Sequence, residues 1–191
     1  MNILVTGGLG YLGSHAVVEL IQQKYGVVIL DNLSNSHKKN LKRIEKITCK
    51  KIKFYKEDIR HKSSLRKIFK DNNIKGIMHF AGLKSVKKSI SHRKEYFDVN
   101  VNGTRNLINV LNEIECNEKL FIFSSSACVY GNPDYLPYDE THELQPGNFY
   151  GETKLQSEQI LEEAYKNYKD WKIVVLRYFN PIGSHHSYLI G

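Results

Sequence analysis

Tyr150 and Lys154 stand four residues apart in Tyr150-Gly151-Glu152-Thr153-Lys154, a spacing that stacks a phenol and an ammonium on one face of a helix. A nearby ammonium favours the phenolate and brings a tyrosine down from its usual value of about 10 toward working pH. Such a tyrosine can take a proton from a hydroxyl while hydride leaves the same carbon. A second chemical element is the run Ser124-Ser125-Ser126 at the end of the apolar stretch Leu120–Phe123. A hydroxyl at that edge can hydrogen-bond a substrate oxygen passing between alcohol and ketone; which serine does so depends on strand register.

A third element is Thr6-Gly7-Gly8-Leu9-Gly10-Tyr11-Leu12-Gly13, directly after an apolar run and before an amphipathic one. Glycines at 7, 10 and 13 permit a tight turn, close approach of backbone to a pyrophosphate, and close packing of helix on strand. The helix N-terminus then offers free N–H groups and a partial positive charge to phosphates. Asp31 follows roughly 20 residues past the last glycine, at the end of the next apolar run. A carboxylate there accepts from ribose hydroxyls and repels a 2′-phosphate, which favours NAD over NADP. Asp58, ending a third run, is placed either to reach the adenine amino group or to cap a helix.

These groups need a scaffold. Short aliphatic runs alternate with longer amphipathic ones, the pattern of a doubly wound α/β fold with a parallel sheet and helices on both faces. The pattern predicts strands at Ile3–Thr6, Val27–Asp31, Lys53–Lys56, Gly76–His79, Phe121–Ser124 and Ile173–Arg177. It predicts helices at Leu12–Lys24, about Asn40–Ile47, Ser64–Asp71, Glu95–Glu115 and Tyr150–Tyr168. The segment 131–149, with three prolines and two glycines, lacks periodicity and reads as a long loop at the ligand-binding edge.

The 191 residues, 41% hydrophobic and 25% charged, suit a globular chain with one core. Three cysteines without Cys-x-x-Cys spacing suggest neither disulfides nor a zinc site, and reduced thiols point to the cytoplasm. The N-terminus enters a strand at once, so no signal peptide is expected, and no apolar run is long enough to span a bilayer. The net charge of +8 is dispersed as Lys38-Lys39, Lys50-Lys51-Lys53 and Lys87-Lys88, without nucleic-acid-binding motifs, so no nucleic-acid or membrane partner is expected. His185-His186 suggests a metal pair, but adjacent side chains are expected to point apart and no third ligand is near, so no metal is expected.

Several longer segments carry a resemblance: Val5-Thr6-Gly7-Gly8 through Gly13-Ser14-His15, Leu30-Asp31-Asn32-Leu33-Ser34-Asn35-Ser36, His79-Phe80-Ala81-Gly82-Leu83-Lys84, Asn100-Val101-Asn102-Gly103-Thr104, Phe123-Ser124-Ser125-Ser126-Ala127, Val129-Tyr130-Gly131 and Leu176-Arg177-Tyr178-Phe179-Asn180-Pro181. In this order they resemble the extended short-chain dehydrogenase/reductase family, and within it the UDP-glucose 4-epimerase branch.

The resemblance implies a Rossmann-type domain over residues 1–180, with 181–191 opening a C-terminal substrate-binding region whose remainder is not in the chain. It implies Ser126, Tyr150 and Lys154 as catalytic residues, with Tyr150 the base. It implies NAD held by Gly7, Gly10, Tyr11, Leu12, Gly13, Asp31, Asn32, Leu33, Ser34, Asn35, Ser36, Asp58, Ile59, Phe80, Ala81, Gly82, Leu83, Lys84, Asn100, Lys154 and Phe179. The UDP-sugar would meet Lys84, Ser126, Tyr150 and Asn180, and hydride would leave sugar C4 and return to the other face of a 4-ketose. A homodimer through the two long helices is implied as well. Cys128, where relatives often carry a small residue, is expected to be a packed thiol near the site. NAD binding without turnover and a different nucleotide-sugar specificity are the competing expectations.

Overall fold

The computed structural model describes residues 1–191. Six strands, β1 (Asn2–Thr6), β2 (Gly26–Leu30), β3 (Lys53–Tyr55), β4 (Ile74–His79), β5 (Lys119–Ser126) and β6 (Trp171–Tyr178), form one sheet of order β3-β2-β1-β4-β5-β6. All neighbours pair in parallel. Between them run α1 (Tyr11–Gln22), α2 (Lys39–Thr48), α3 (Lys62–Asn72), α4 (Val86–Ser91), α5 (Arg93–Tyr96), α6 (Gly103–Asn112) and α7 (Phe149–Asn167).

Strand alternation sorts the core into two layers. Leu4, Val28, Leu30, Ile77, Phe121 and Phe123 face the layer of α3, α6 and α7, packing on Leu65, Phe69, Leu107, Leu111 and Leu161. Ile3, Val5 and Ile29 face the opposite layer of α1 and α2, with Val17, Ile21 and Ile44. The sheet is therefore doubly wound, and its strand order reverses between β1 and β4. In an open α/β sheet, the crevice beyond the strand ends at such a reversal is the ligand site.

The expected elements are present, with their ends moved by a few residues. Three features were not foreseen. Helix α4 leaves its apolar Val86 and Ile90 exposed and buries only Ser89; it is started by Ser85, whose side chain accepts from the Lys88 N–H at 3.3 Å. The long helix expected over 95–115 begins at Arg93, ends at Asn112 and is interrupted by a π-helical segment, Phe97–Asn102. A single 3₁₀ turn, Ala127–Val129, follows β5 and is capped by Ser126, which accepts from the Cys128 N–H at 3.2 Å.

The π-helical segment is stitched to its surroundings through Asn100. The Asn100 carbonyl accepts from Thr104 Oγ1 (2.6 Å) and Ser157 Oγ (3.1 Å). Its amide nitrogen donates to the Leu83 carbonyl and to Thr153 Oγ1, both at 3.0 Å, and its side-chain oxygen accepts from the Leu83 N–H at 2.8 Å. One residue thus ties α6, α7 and the loop after β4 together.

Candidate functional site

A cavity of about 650 Å³ runs along the carboxyl ends of the strands, within the range of small-molecule and cofactor sites. Its floor at one end is the glycine turn. Gly7 has φ +66°, and a Cβ there would lie 2.7 Å from the Ala81 nitrogen. At Gly13 a Cβ would lie 2.2 Å from the Gly7 carbonyl oxygen, so only glycine lets α1 come this close to β1. Gly7, Gly10, Tyr11, Leu12 and Gly13 all line the cavity.

Asp31, buried just beyond β2, organises the turn. Its carboxylate accepts from the Leu9 N–H (3.0 Å), the Leu33 N–H (2.9 Å) and Ser36 Oγ (2.7 Å). Asn32, Ser34, Asn35 and Ser36 border the cavity beside it. Leu33 does not: its backbone is left-handed at φ 64° and its side chain packs against the α1–α2 layer.

Asp58 and Ile59 also line the cavity. Asp58 caps no helix, since His61 precedes α3. Its carboxylate takes Arg60 Nε at 2.9 Å, Arg60 Nη2 at 3.0 Å and the Asn32 amide at 2.8 Å. Burial alone would raise this acid, but the Arg60 guanidinium and the Asn32 amide outweigh it and hold the carboxyl well below the usual range.

Phe80, Ala81, Gly82, Leu83 and the exposed Lys84 form the wall after β4. Asn100 stands outside the cavity, behind this wall, and holds it through Leu83. Behind the same wall lies a feature absent from the sequence expectations. His79, fully buried at the end of β4, bonds Thr6 Oγ1 at 2.7 Å and Thr104 Oγ1 at 3.0 Å. The proton order follows from one fact: the Asn100 carbonyl can only accept, so Thr104 must donate to it. Thr104 then accepts from His79 Nε2–H, and His79 Nδ1 accepts from Thr6. Burial, together with the Lys154 charge, pushes this imidazole down to about 3, so it is neutral. It joins the last residue before the glycine turn to the first turn of α6, and through Thr104 to the Asn100 carbonyl of the π-helical segment.

At the other end Ser124, Ser125, Ser126, Cys128, Tyr150, Lys154, Tyr178, Phe179, Asn180 and Pro181 converge. The N-terminus of α7 is capped by Asn148, whose side chain accepts from the Gly151 N–H at 2.9 Å, and Ser89 Oγ accepts from the Tyr150 N–H at 3.2 Å. Register sends the three serines to different partners. The Ser124 carbonyl accepts from Lys154 Nζ at 2.8 Å. Ser125 turns to Glu158, and Ser126 is the serine whose hydroxyl acts on the Tyr150 phenol.

The expectation that Lys154 lowers Tyr150 is corrected. Burial pushes the phenol above its ordinary value, the Ser126 hydroxyl acts the other way, and Cys128 and Tyr96 add to the rise. Burial also pushes Lys154 down to about 8, against the opposing charge of Glu158. The ammonium points at a carbonyl and lies over the Phe123 ring at 4.8 Å, so the energy of taking charge out of water outweighs the pairing.

Asn180 and Phe179 are on the open side, where Phe179 stacks with Tyr130 at 6.5 Å and leans on Tyr138 at 5.6 Å. Beyond them the His185 and His186 rings lie 4.0 Å apart, tilted by 34°, side by side rather than pointing apart as expected. Burial pushes His185 down, with His186 and His15 adding to the effect. No three His, Cys, Asp or Glu side chains form a metal-holding group, and no helix is long and apolar enough to cross a membrane.

Residues 3–189 match the model of the NAD dependent epimerase/dehydratase family. The UDP-glucose 4-epimerases of Dictyostelium discoideum and Pasteurella multocida are 46% and 47% identical over all of this chain, which covers 55% and 56% of theirs. The crystal structure of UDP-glucose-4-epimerase from Stenotrophomonas maltophila, with bound NAD and formylated UDP-arabinopyranose, superposes at a TM-score of 0.95 with 44% identity. That of the Bifidobacterium longum enzyme with NAD+ and UDP does so at 0.94 with 42% identity. Each comparison covers all of this chain and 56% or 57% of the other. The chain spans about half the length of the relatives it matches. Its strand order, its glycine turn and this match over nearly its whole length agree, and the chain belongs to the NAD dependent epimerase/dehydratase family.

Proposed function

We propose that this chain is the cofactor-binding part of a UDP-hexose 4-epimerase, interconverting UDP-glucose and UDP-galactose through a 4-keto sugar. One observation carries the reading: a single cavity has a glycine turn and a buried aspartate at one end and Ser126, Tyr150 and Lys154 at the other. The fit to NAD rests on the cradle itself, where a Cβ on Gly7 or Gly13 would meet backbone, and on the ribose-facing carboxylate of Asp31. No arginine follows Asp31 in the segment 32–36 to welcome a 2′-phosphate, which favours NAD over NADP.

Bound NAD would supply the acceptor, and then the donor, of the hydride exchanged with sugar C4. The chain's own residues do the rest. Gly7, Gly10 and the first turn of α1 receive the pyrophosphate. Asp31 to Ser36 take the ribose, Asp58 and Ile59 border the adenine, and Phe80 to Lys84 cover the dinucleotide from the β4 side. Tyr150 would act as the phenolate in the loaded site: its oxygen takes the C4–OH proton as hydride leaves C4, becoming the hydroxyl, and returns that proton after the ketose has turned. Ser126 donates to the C4 oxygen, and Lys154 places positive charge beside the phenol. Lys84 and Asn180 are proposed to meet the nucleotide sugar.

Residues 1–180 form the NAD-binding domain in this reading, and 181–191 begin the substrate-binding region. A homodimer through α6 and α7 belongs to the same reading, with Tyr165 on α7 61% exposed; sedimentation as monomer at high concentration would count against it.

NAD binding by calorimetry, followed by conversion of UDP-galactose to UDP-glucose, tests the proposal. Absence of NAD binding sinks it. A second reading, NAD binding without turnover, is favoured by how open the sugar end is, with Phe179 58% and Ile182 93% exposed. It gives binding and no conversion.

A further inference from the structure

The catalytic stripe of α7 does not end at Lys154. One turn further, Glu158 is a buried carboxylate whose bonds reach two strands, β5 and β6. It accepts from Ser125 Oγ on β5. It accepts from Arg177 Nη2 at 2.8 Å and from Arg177 Nε at 3.3 Å, near the end of β6. Arg177 in turn donates to Tyr130 Oη at 3.1 Å and lies over the Tyr130 ring at 4.9 Å. The network thus grips the two strand ends and the turn that carry Ser124, Ser126, Cys128 and Tyr178 to Asn180.

An ion pair alone would be a structural fixture. What singles out Glu158 is its relation to Lys154, a buried cation that forms no ion pair and whose hydrogen bond goes to a neutral carbonyl. The groups facing Lys154 are Tyr150 and Glu158 on α7, neutral His79 on β4, and the Ser124 carbonyl on β5. Of these, Glu158 supplies the negative charge, one helical turn from Lys154 on the same face of α7.

We propose that Glu158 is a positioning residue for the Tyr150–Lys154 pair: its carboxylate fixes the edge of β5 through Ser125 and is the anion that keeps the buried Lys154 ammonium charged. This rests on the reading of Lys154 given above. In a medium of low dielectric a carboxylate one helical turn away acts strongly on an ammonium, and its loss favours the neutral amine.

The test is the titration of Lys154, read by NMR on protein carrying ¹³C-labelled lysine and assigned with Lys154→Met. Glu158→Gln is expected to lower the Lys154 midpoint by about one pH unit, and Glu158→Asp to bring it back toward wild type. If Glu158→Gln leaves Arg177 uncompensated and the protein unfolds, the double variant Glu158→Gln, Arg177→Gln is read instead, with a smaller fall in the same direction expected because a cation is removed as well. A midpoint equal to wild type in the folded variant overturns the proposal. The titration needs no turnover: wild type that fails to convert UDP-galactose counts against the epimerase reading only, whereas an unmoved midpoint counts against Glu158 only.

Discussion

Lys154 Nζ lies 5.9 Å from the centre of the Tyr150 ring and gives its hydrogen bond to the Ser124 carbonyl at 2.8 Å, so phenol and ammonium share a helix face without sharing a proton. Burial works against the charged form of both. With no ligand bound, the amine is the first of the two to lose its proton as pH rises.

That order is measurable. The difference in phenolate absorbance between wild type and Tyr150→Phe is expected to appear only above the ordinary tyrosine range near 10. A Tyr150 transition below that range would contradict it. For Lys154 the folded value, about 8, lies below the ordinary 10.5. The unfolded chain therefore holds the extra proton between these values, and this group makes stability rise with pH across that window.

Tyr150→Phe should leave the circular dichroism spectrum and NAD binding in place while turnover of UDP-galactose falls by about 10²–10⁴-fold, the usual worth of a positioned acid–base group. Unchanged turnover would remove Tyr150 from the mechanism.

His79 gives the acid side of the profile. Its folded value, about 3, is below the ordinary 6.5, so the unfolded chain takes up a proton that the folded chain refuses. Stability unaffected above pH 6.5 is lost as pH falls toward 3, by on the order of 5 kcal/mol at full extent. Urea titrations of His79→Gln should show a flatter dependence than wild type between pH 6.5 and 4.5. Parallel curves would mean that the imidazole is already charged.

Gly13→Ala puts a methyl 2.2 Å from the Gly7 carbonyl oxygen. Backbone must shift, at a cost of about 1–3 kcal/mol as in other overpacked sites. The loss should appear in urea unfolding and, in calorimetry, as NAD affinity weakened at least about tenfold. Wild-type affinity in Gly13→Ala would show that the turn is not the cradle.

Asp31→Ala strips acceptors from the Leu9 and Leu33 amides and from Ser36. Stability should fall by about 1–3 kcal/mol for the unpaired buried donors, and NAD binding should weaken with it. If NAD binds as before, the carboxylate does not serve the ribose.

The parts of this molecule that announce themselves in sequence are those fixed by local pattern. Val27-Val28-Ile29-Leu30 can only be an interior strand, and glycines 7, 10 and 13 mark a turn whose helix must pack against β1. Tyr150 and Lys154 reveal themselves by spacing. The network behind them does not. His79 reads as one polar residue at a strand end, and its role depends on Thr6 and Thr104, distant in sequence. Glu158 reads as one acid on an amphipathic helix until β5 and β6 are paired beside it. Leu33 and Asn100 lie behind the cavity lining, since membership in a motif says nothing about which way a side chain faces. The pKa directions of Tyr150 and Lys154 were also illegible, because spacing reveals a partner but not how much water has been excluded.

The wide turn at Phe97–Asn102 absorbs one residue, since the Gly103 N–H reaches back five residues to the Asp98 carbonyl where an α-helix reaches back four. The helix on either side therefore stays in phase: α6 is seated on the sheet while the Tyr96 hydroxyl reaches the Ser85 carbonyl at 2.8 Å. A deletion of one residue here would close the turn as ordinary α-helix with Tyr96 still in place, and its cost would fall on the wide turn itself, which carries Asn100.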